Sequence, residues 1–344
     1  MANNDWQEYQ FIQGAVFNNE TISSFGNIQN ELLYTQHQNV ICDLSHLALL
    51  EISGDDALSF LQGQVTNDVK LLGDSKAHYT GYCSPKGRLL ALFFAFSQHQ
   101  NIYLQLNSKL LEPISKRLKM YVMRAKVNIR NVSDNRVRIG LSGNDVADFL
   151  APFFTQIPSL AYTLSHTEQG TLIRLPSKTP RFEIICDTDR AKEIWHALKK
   201  QCQPVGKSCW EWLEIQAGIP DIYLKTQEEF VPQMVNLDLL DAINFKKGCY
   251  TGQEIVARTH YLGKVKRRTQ LMHINTSVPP QAANDVLNKN NEVIGKIVRS
   301  AAAPAGGYAV LAEVRLESVG AGDLFVNGIK VAIQQLPYPL QPSE

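Results

Sequence analysis

The densest chemical signal in the chain is the run at residues 245–268, FKKGCYTGQEIVARTHYLGKVKRR. One cysteine, Cys249, stands here among seven basic residues and a single acid, Glu254, a local charge of +6 that leaves −5 for the rest of the chain. Thr251 and Glu254 have the spacing of a capping box, in which each side chain bonds the other residue's backbone N–H, so a helix is expected from about Gly252. Cys249 then sits just upstream of a helix N-terminus beside Lys246 and Lys247, and Gly248 and Gly252 let the backbone turn and leave the thiol uncovered. Both effects favour the thiolate, the form that reacts with metals, persulfides and oxidants. The competing reading is a small hydrophobe buried at a helix start, with lysines that are merely solvated. The basic group Lys264, Lys266, Arg267 and Arg268 reads as a solvated face, a site for a small polyanion, or an RNA contact without any recognisable RNA-binding motif around it.

Other residue types offer less. Trp210 and Trp212 straddle Glu211, and on a helix residues so spaced point to different faces, so at most one lines a given cavity. The eight histidines are scattered, and the six cysteines show no CxxC and no Cys/His cluster, so no zinc or iron–sulfur ligand set of local origin is expected. Nucleotide-binding glycine loops and the serine-hydrolase elbow are missing from the sequence.

The elements that must position these residues follow from patterning. Residues 47–52 read as a strand, Ser53–Asp56 as cap chemistry, and Ala57, Leu58, Phe60, Leu61 and Val65 follow at helical spacing. Residues 78–84 and 88–96 are β-prone runs joined by a Pro85-Lys86-Gly87 turn, and residues 102–106 add a third strand, which makes an antiparallel sheet. A helix at 109–120, strands at 126–132 and 137–141, a capped helix at 144–154, strands at 171–175 and 181–186 and a helix at 189–201, capped by Thr188 or Asp189, repeat the alternation. After Asn275 come short alternating runs, read as a small β-barrel or sandwich. The polar stretch up to about Asn39 reads as a loosely attached arm.

With 344 residues, two or three domains are expected at ~100 to 200 residues each. Hydrophobic residues at 44%, charged residues at 19% and a net charge of +1 exclude a disordered chain and any wholesale demand for nucleic acid or anionic membrane. The uncharged stretch at 89–108 is broken by Ser97–Asn101 and reads as a hairpin, not a membrane span. Sparse unpaired thiols and an acidic, polar start with no export signal point to the cytoplasm.

At KGCYTGQE the residues resemble a known family, the YgfZ proteins, folate-binding relatives of the glycine-cleavage aminomethyltransferase that include a mitochondrial iron–sulfur assembly factor. The likeness runs through FLQGQVTNDV at residues 60–69, CSPKGR at 83–88, WLEIQAGIP at 212–220, FVPQMVNL at 230–237, FKKGCYTGQEIVAR at 245–258 and LPYPL at 336–340.

The resemblance implies an α+β fold, a three-domain ring around a central folate cavity with a C-terminal β-barrel. The corresponding division is an N-terminal arm at 1–40, a first α+β domain at 41–135, a second at 136–205, a segment at 206–272 that completes the folate core and carries the cysteine motif, and the barrel at 273–344. It implies a tetrahydrofolate or a derivative such as the 5-formyl form as cofactor, held by Trp210, Gln64, Asn67 and Gln233, with no permanently bound metal. The family's second tryptophan, in the first strand, is Leu47 here. Cys249 is implied as the functional thiol, with Lys247, Tyr250, Gln253, Glu254 and Arg258 organising it. The aminomethyltransferase branch carries paired aspartates after the second-strand turn, one of them catalytic; the matching stretch here, residues 87–92, has no carboxylate. That branch's GYTGE segment, whose glutamate reads the pterin, is replaced by LPSKTPR before Phe182-Glu183-Ile184. The expectation is therefore a monomeric, non-enzymatic accessory protein serving iron–sulfur client enzymes, including those that thiolate tRNA, with weak or indirect tRNA contact and no membrane. The alternatives are a folate-dependent one-carbon transferase and a tRNA-binding module.

Overall fold

The structure, a computed structural model, describes residues 4–320 and 322–340; the first three residues of the expected arm and residues 341–344 of the expected barrel domain lie outside the described residues. A five-stranded sheet orders its strands Ala77–Cys83, Leu89–Gln98, Asn101–Asn107, Leu47–Ser53, Asn128–Asn131, all antiparallel. The uncharged stretch is the hairpin of the second and third of these, closed by His99 and Gln100, both with positive φ as a two-residue hairpin turn demands. Residues 89–96 are all buried, which is why they read as a continuous apolar run rather than an alternating one.

The second sheet repeats the plan. Its central strand Val137–Ser142, short helix Val146–Leu150, meander Leu164–Thr167, Gly170–Arg174, Arg181–Cys186, amphipathic helix Thr188–Leu198 and closing strand Gln203–Val205 answer in order to Leu47–Ser53, Ala57–Gln62, the first meander, Leu111–Val122 and Asn128–Asn131. One strand is added: Val40–Asp43 lies between the central and closing strands, antiparallel to the first and parallel to the second.

That added strand corrects the expected arm and the boundary at residue 41. The helix Asn4–Ile12 packs on Thr188–Leu198, with Trp6 edge-on to Trp195 at 5.7 Å and its indole N–H donating to Asp43 at 2.7 Å. The helix Ile28–His37 buries Leu32, and the Glu31 carboxylate accepts from the Phe25 and Gly206 amides. A few anchors among polar residues suffice to dock the segment, and composition averages them away. Two caps also differ from expectation. Asp187, not Thr188 or Asp189, caps its helix by accepting from the Arg190 amide. Asp56 stands at its helix N-cap but accepts from the Lys126 amide instead of a helix amide.

The C-terminal part is a closed six-stranded barrel in the order Arg267–Ile274, Tyr308–Arg315, Val293–Ala302, Asp285–Asn288, Leu324–Val326, Ile329–Gln334. It begins six residues before the expected boundary at 273. The helix Lys207–Gln216 lies against the barrel strand Val293–Ala302 and joins it to both sheets. No helix among the described residues is long and apolar enough to cross a membrane.

Candidate functional site

The helix Lys207–Gln216 turns Trp210 and Glu214, one helical turn apart, toward the space between the two sheets and the barrel. Trp210 is 1% exposed, and its ring lies where a Cβ on Gly140 would be, 2.5 Å from the ring, so the glycine in the Val137–Ser142 strand makes room for it. Trp212, on another face, is only partly buried against the core and lines no part of this space.

Charged groups converge here from the second sheet, the helix and the barrel. The Arg181 guanidinium sits 5.1 Å over the Trp210 ring and forms an ion pair with Glu214 at 2.9 Å. Arg299 reaches in from the barrel to Glu211 at 2.8 Å and Glu214 at 3.5 Å. Glu183 accepts from the Gln105 amide at 3.1 Å. Burial pushes the Glu183 carboxyl up to about 7 and the Asp221 carboxyl up to about 6, and pulls the His46 imidazole down to about 3, so that it is neutral at physiological pH. The cavity they enclose has a volume of about 50 Å³. Around it, Glu183 Oε1, Gln105 Oε1 and His46 Nε2 are buried without a hydrogen-bond partner, as are the Nε and Nη1 of Arg181, which lies over the Trp210 ring but outside the cavity lining. Leu47 also lines it, as does Leu92, so the carboxyls come from Glu183, Glu214 and Asp221 rather than from the second-strand turn.

None of those polar residues was singled out from the sequence. A signal was available: Glu183 in RFEIIC and Arg299 in IVRSAA are charges inside otherwise apolar strands, and such residues are almost never fully buried without a partner or a role.

The cysteine segment forms a second locus. Lys247 is 7% exposed; its ammonium donates to the Val65 and Asn67 carbonyls at 2.6 and 2.8 Å and lies 5.2 Å over the Tyr250 ring. Burial lowers it to about 8. Asn67 in turn donates to the Tyr79 and Asp241 carbonyls at 3.1 and 2.6 Å. These bonds stitch FKKG to the QVTND loop and fix both ends of the bend that carries Gly248 and Cys249. Nothing lies within 4 Å of a Cβ placed on Gly248. Cys249 is exposed; the other five cysteines are buried, and burial pushes the thiols of Cys83, Cys186, Cys202 and Cys209 up to about 12 and that of Cys42 well above its ordinary value.

The helix Gln253–Tyr261 follows, but not through the expected capping box. Gly252 is the N-cap in a left-handed conformation, φ +84°, and makes no side-chain cap bond; the Gln253 side chain instead accepts from the Tyr250 amide at 3.2 Å. The cause is tertiary. Gly252 and Gly87 abut backbone to backbone, a Cβ on Gly252 falling 2.5 Å from the Ser84 carbonyl oxygen and 2.9 Å from Gly87 Cα. The CSPKG turn is thus the seat of the cysteine loop. Gly252→Ala is expected to cost about 1–3 kcal/mol, from left-handed strain and from this contact, and to speed modification of Cys249 by a thiol reagent; thermal unfolding and labelling kinetics read the two effects.

The remaining expected site residues are dispersed. Glu254 and Arg258 expose their side chains on the helix. Gln233 is fully buried, donates to the Val256 carbonyl at 2.7 Å and props that helix, lining neither cavity nor cleft. Gln64 is half-buried beside the same loop. Asn67 lines a separate cleft of about 730 Å³ with Lys76, His78, Tyr162, Phe245 and Tyr261. The basic group is half consumed: Arg267 pairs with Glu313, and Arg268 forks onto Asp238 at 2.5 and 2.8 Å, which leaves Lys264 and Lys266 facing solvent. No group of three or more metal-ligating side chains occurs among the described residues.

The chain matches the GCVT N-terminal domain family over residues 6–247. It is similar to proteins named tRNA-modifying protein YgfZ. That of Yersinia pestis (strain Pestoides F) is 31% identical over 312 residues, 87% of this chain and 92% of the relative. That of Sodalis glossinidius (strain morsitans) is 31% identical over 246 residues, 72% and 75% of the two chains. Among solved structures, the glycine cleavage system aminomethyltransferase T from Bartonella henselae superposes with a TM-score of 0.76 over 97% of this chain and 96% of that one, at 17% identity, and so shares the fold.

Proposed function

The chain belongs to the YgfZ family, and from that membership we propose that it is a cytoplasmic folate-binding accessory protein, active as a monomer, that supports iron–sulfur enzymes, those that thiolate tRNA among them. The observation that carries the folate part is the set of orphaned polar atoms around Trp210. Each unpaired buried group costs about 1–3 kcal/mol, so the cavity favours a planar ligand that satisfies several at once. A reduced pterin does so. Its ring face suits Trp210, its amino and ring N–H donors suit Glu183 Oε1 and Gln105 Oε1, and its ring carbonyl suits the free nitrogens of Arg181. A space of about 50 Å³ holds little more than water, so ring entry requires the side chains around Trp210 to move apart. The one-carbon unit on the folate supplies whatever transfer or signalling chemistry the ligand carries.

Cys249 is the functional thiol in this reading. Lys247, Tyr250 and Gln253 hold its loop, and Glu254 and Arg258 flank it. Thiol and cavity are separate loci, which suits a factor whose ligand regulates or licenses a thiol acting on client enzymes.

Titration of the purified protein with tetrahydrofolate and its 5-formyl derivative, followed by tryptophan fluorescence, tests the reading. Saturable quenching is expected, weakened in Trp210→Phe and retained in Cys249→Ala; a signal that never saturates, or one indifferent to Trp210, removes the folate site.

One observation favours a second reading, a folate-dependent one-carbon transferase. Glu183, near 7 and buried beside Trp210, is poised as a proton-transfer group even though the second-strand aspartate is missing. Turnover of a reduced folate by purified protein that is lost in Glu183→Gln supports it, and no turnover with any one-carbon donor rejects it.

A further inference from the structure

The cleft of about 730 Å³ that Asn67 lines shares no residue with the Trp210 cavity. Both ends of the segment that carries Cys249 bound it: Phe245 and Lys246 where the chain enters the loop, and His260 and Tyr261, the last two residues of the helix Gln253–Tyr261, where it leaves. The Phe245 and His260 rings stack parallel at 3.7 Å, and Tyr261 meets them edge-on at 6.1 and 4.7 Å. The three rings hold one another in place, yet Tyr261 is 64% exposed and His260 is exposed beside it. Exposed aromatic rings fixed in one orientation are a platform on which another flat ring can stack.

Polar groups surround the same space. The lysines that form ion pairs among the described residues are Lys126, Lys192, Lys296 and Lys330, so Lys76 and Lys246, both exposed on the cleft, are unpaired. Lys264 and Lys266 are exposed and unpaired as well, and they follow closely on Tyr261 in the chain. The one carboxylate in the lining is Asp241, and His78 Nε2 is buried without a hydrogen-bond partner. Burial lowers the His78 imidazole to about 4, so at physiological pH it is neutral and offers a hydrogen bond without adding charge. A flat ring with hydrogen-bonding edges, joined to phosphate, matches all of these groups. The cleft has the size of an ordinary small-molecule site, but its platform lies open to solvent and the unpaired lysines continue beyond it, which suits a nucleotide held in a strand.

We propose that this cleft binds an unpaired nucleotide of a single-stranded nucleic acid, with the base on the Tyr261–His260 platform and the backbone along Lys76, Lys246, Lys264 and Lys266. The strand then crosses the neck of the loop that carries Cys249. The inference is independent of the folate reading. A free nucleotide shares the chemistry and is the competing source.

Fluorescence anisotropy of an end-labelled, unstructured RNA oligonucleotide, titrated with the full chain, tests the site. Wild type is expected to bind the single strand about tenfold tighter than the same strand annealed to its complement, although the duplex carries the denser charge. Tyr261→Ala is expected to weaken single-strand binding about tenfold and to leave thermal unfolding unchanged, because the ring is largely exposed. K76Q/K246Q is expected to flatten the logarithmic salt dependence by about 1.4, two phosphate contacts at ~0.7 each. No binding, equal affinity for duplex and single strand, or a Tyr261→Ala variant that binds like wild type overturns the base site. Displacement of the RNA by micromolar AMP assigns the cleft to a free nucleotide and overturns the strand. The folate titration reads Trp210, so the two sites stand or fall separately.

Discussion

Glu183→Gln is expected to weaken tetrahydrofolate binding by roughly 10- to 100-fold at pH 8, the worth of a charge-assisted hydrogen bond in a buried site. The same variant flattens the pH profile. In the free protein burial holds the Glu183 carboxyl near 7, and the Gln105 amide and the Arg138 charge only partly offset that burial. A pterin N–H prefers the ionised carboxylate. Below pH 7 the ligand must first displace a proton, so wild-type affinity falls about tenfold per pH unit and levels off above 7.

Stability moves in the opposite sense. The folded-state value lies above the ordinary 4.5, so the folded chain holds this proton more tightly than the unfolded chain does. The associated stability is fully present below about pH 4.5 and is lost as pH rises through 7. Thermal unfolding is therefore expected to show Glu183→Gln matching wild type near pH 4.5 and exceeding it at pH 8. A variant that binds the folate as tightly as wild type at pH 8 removes Glu183 from the site.

Cys249→Ala is expected to abolish function in cells while leaving the protein intact. Expressed in a bacterial strain that lacks its own YgfZ-family protein, wild type is expected to restore thiolated tRNA, and both Cys249→Ala and Cys249→Ser to remain at the level of the empty strain. The side chain is exposed and its neighbour Gly248 faces open space, so stability should change by no more than about 0.5 kcal/mol. Folate affinity should be unchanged, because Cys249 does not line the Trp210 cavity. Full restoration by Cys249→Ala would sink the thiol role, and would leave the loop's many backbone bonds as a purely structural feature.

The Trp210 cavity and the cysteine loop differ in how legible they were. The loop's importance was written in a contiguous motif, KGCYTGQE, whose lysine, glycines and cysteine act within eight residues of one another. Its geometry was not. Thr251 and Glu254 obey the capping-box spacing, yet Gly252 caps the helix because Ser84 and Gly87, some 165 residues away in sequence, press against it. Spacing describes what a segment does alone, and a close backbone contact overrides it.

What the sequence by itself determined is everything that repeats at short range. The two strand–helix–meander units, the hairpin at 89–108 and the β-rich C-terminal part all follow from periods of two and 3.6 residues and from turn chemistry. What only the tertiary structure decided is where charge meets charge. Arg181 and Glu183, Glu214, Asp221 and Arg299 come from four separate stretches of chain, and each looks locally like a polar residue in an apolar or mixed segment. The same holds for Arg267 and Arg268, whose apparent surface charge turns out to be paired inside. Electrostatic energy depends on distance in space and on exclusion of water, and neither quantity is carried by neighbours along the chain.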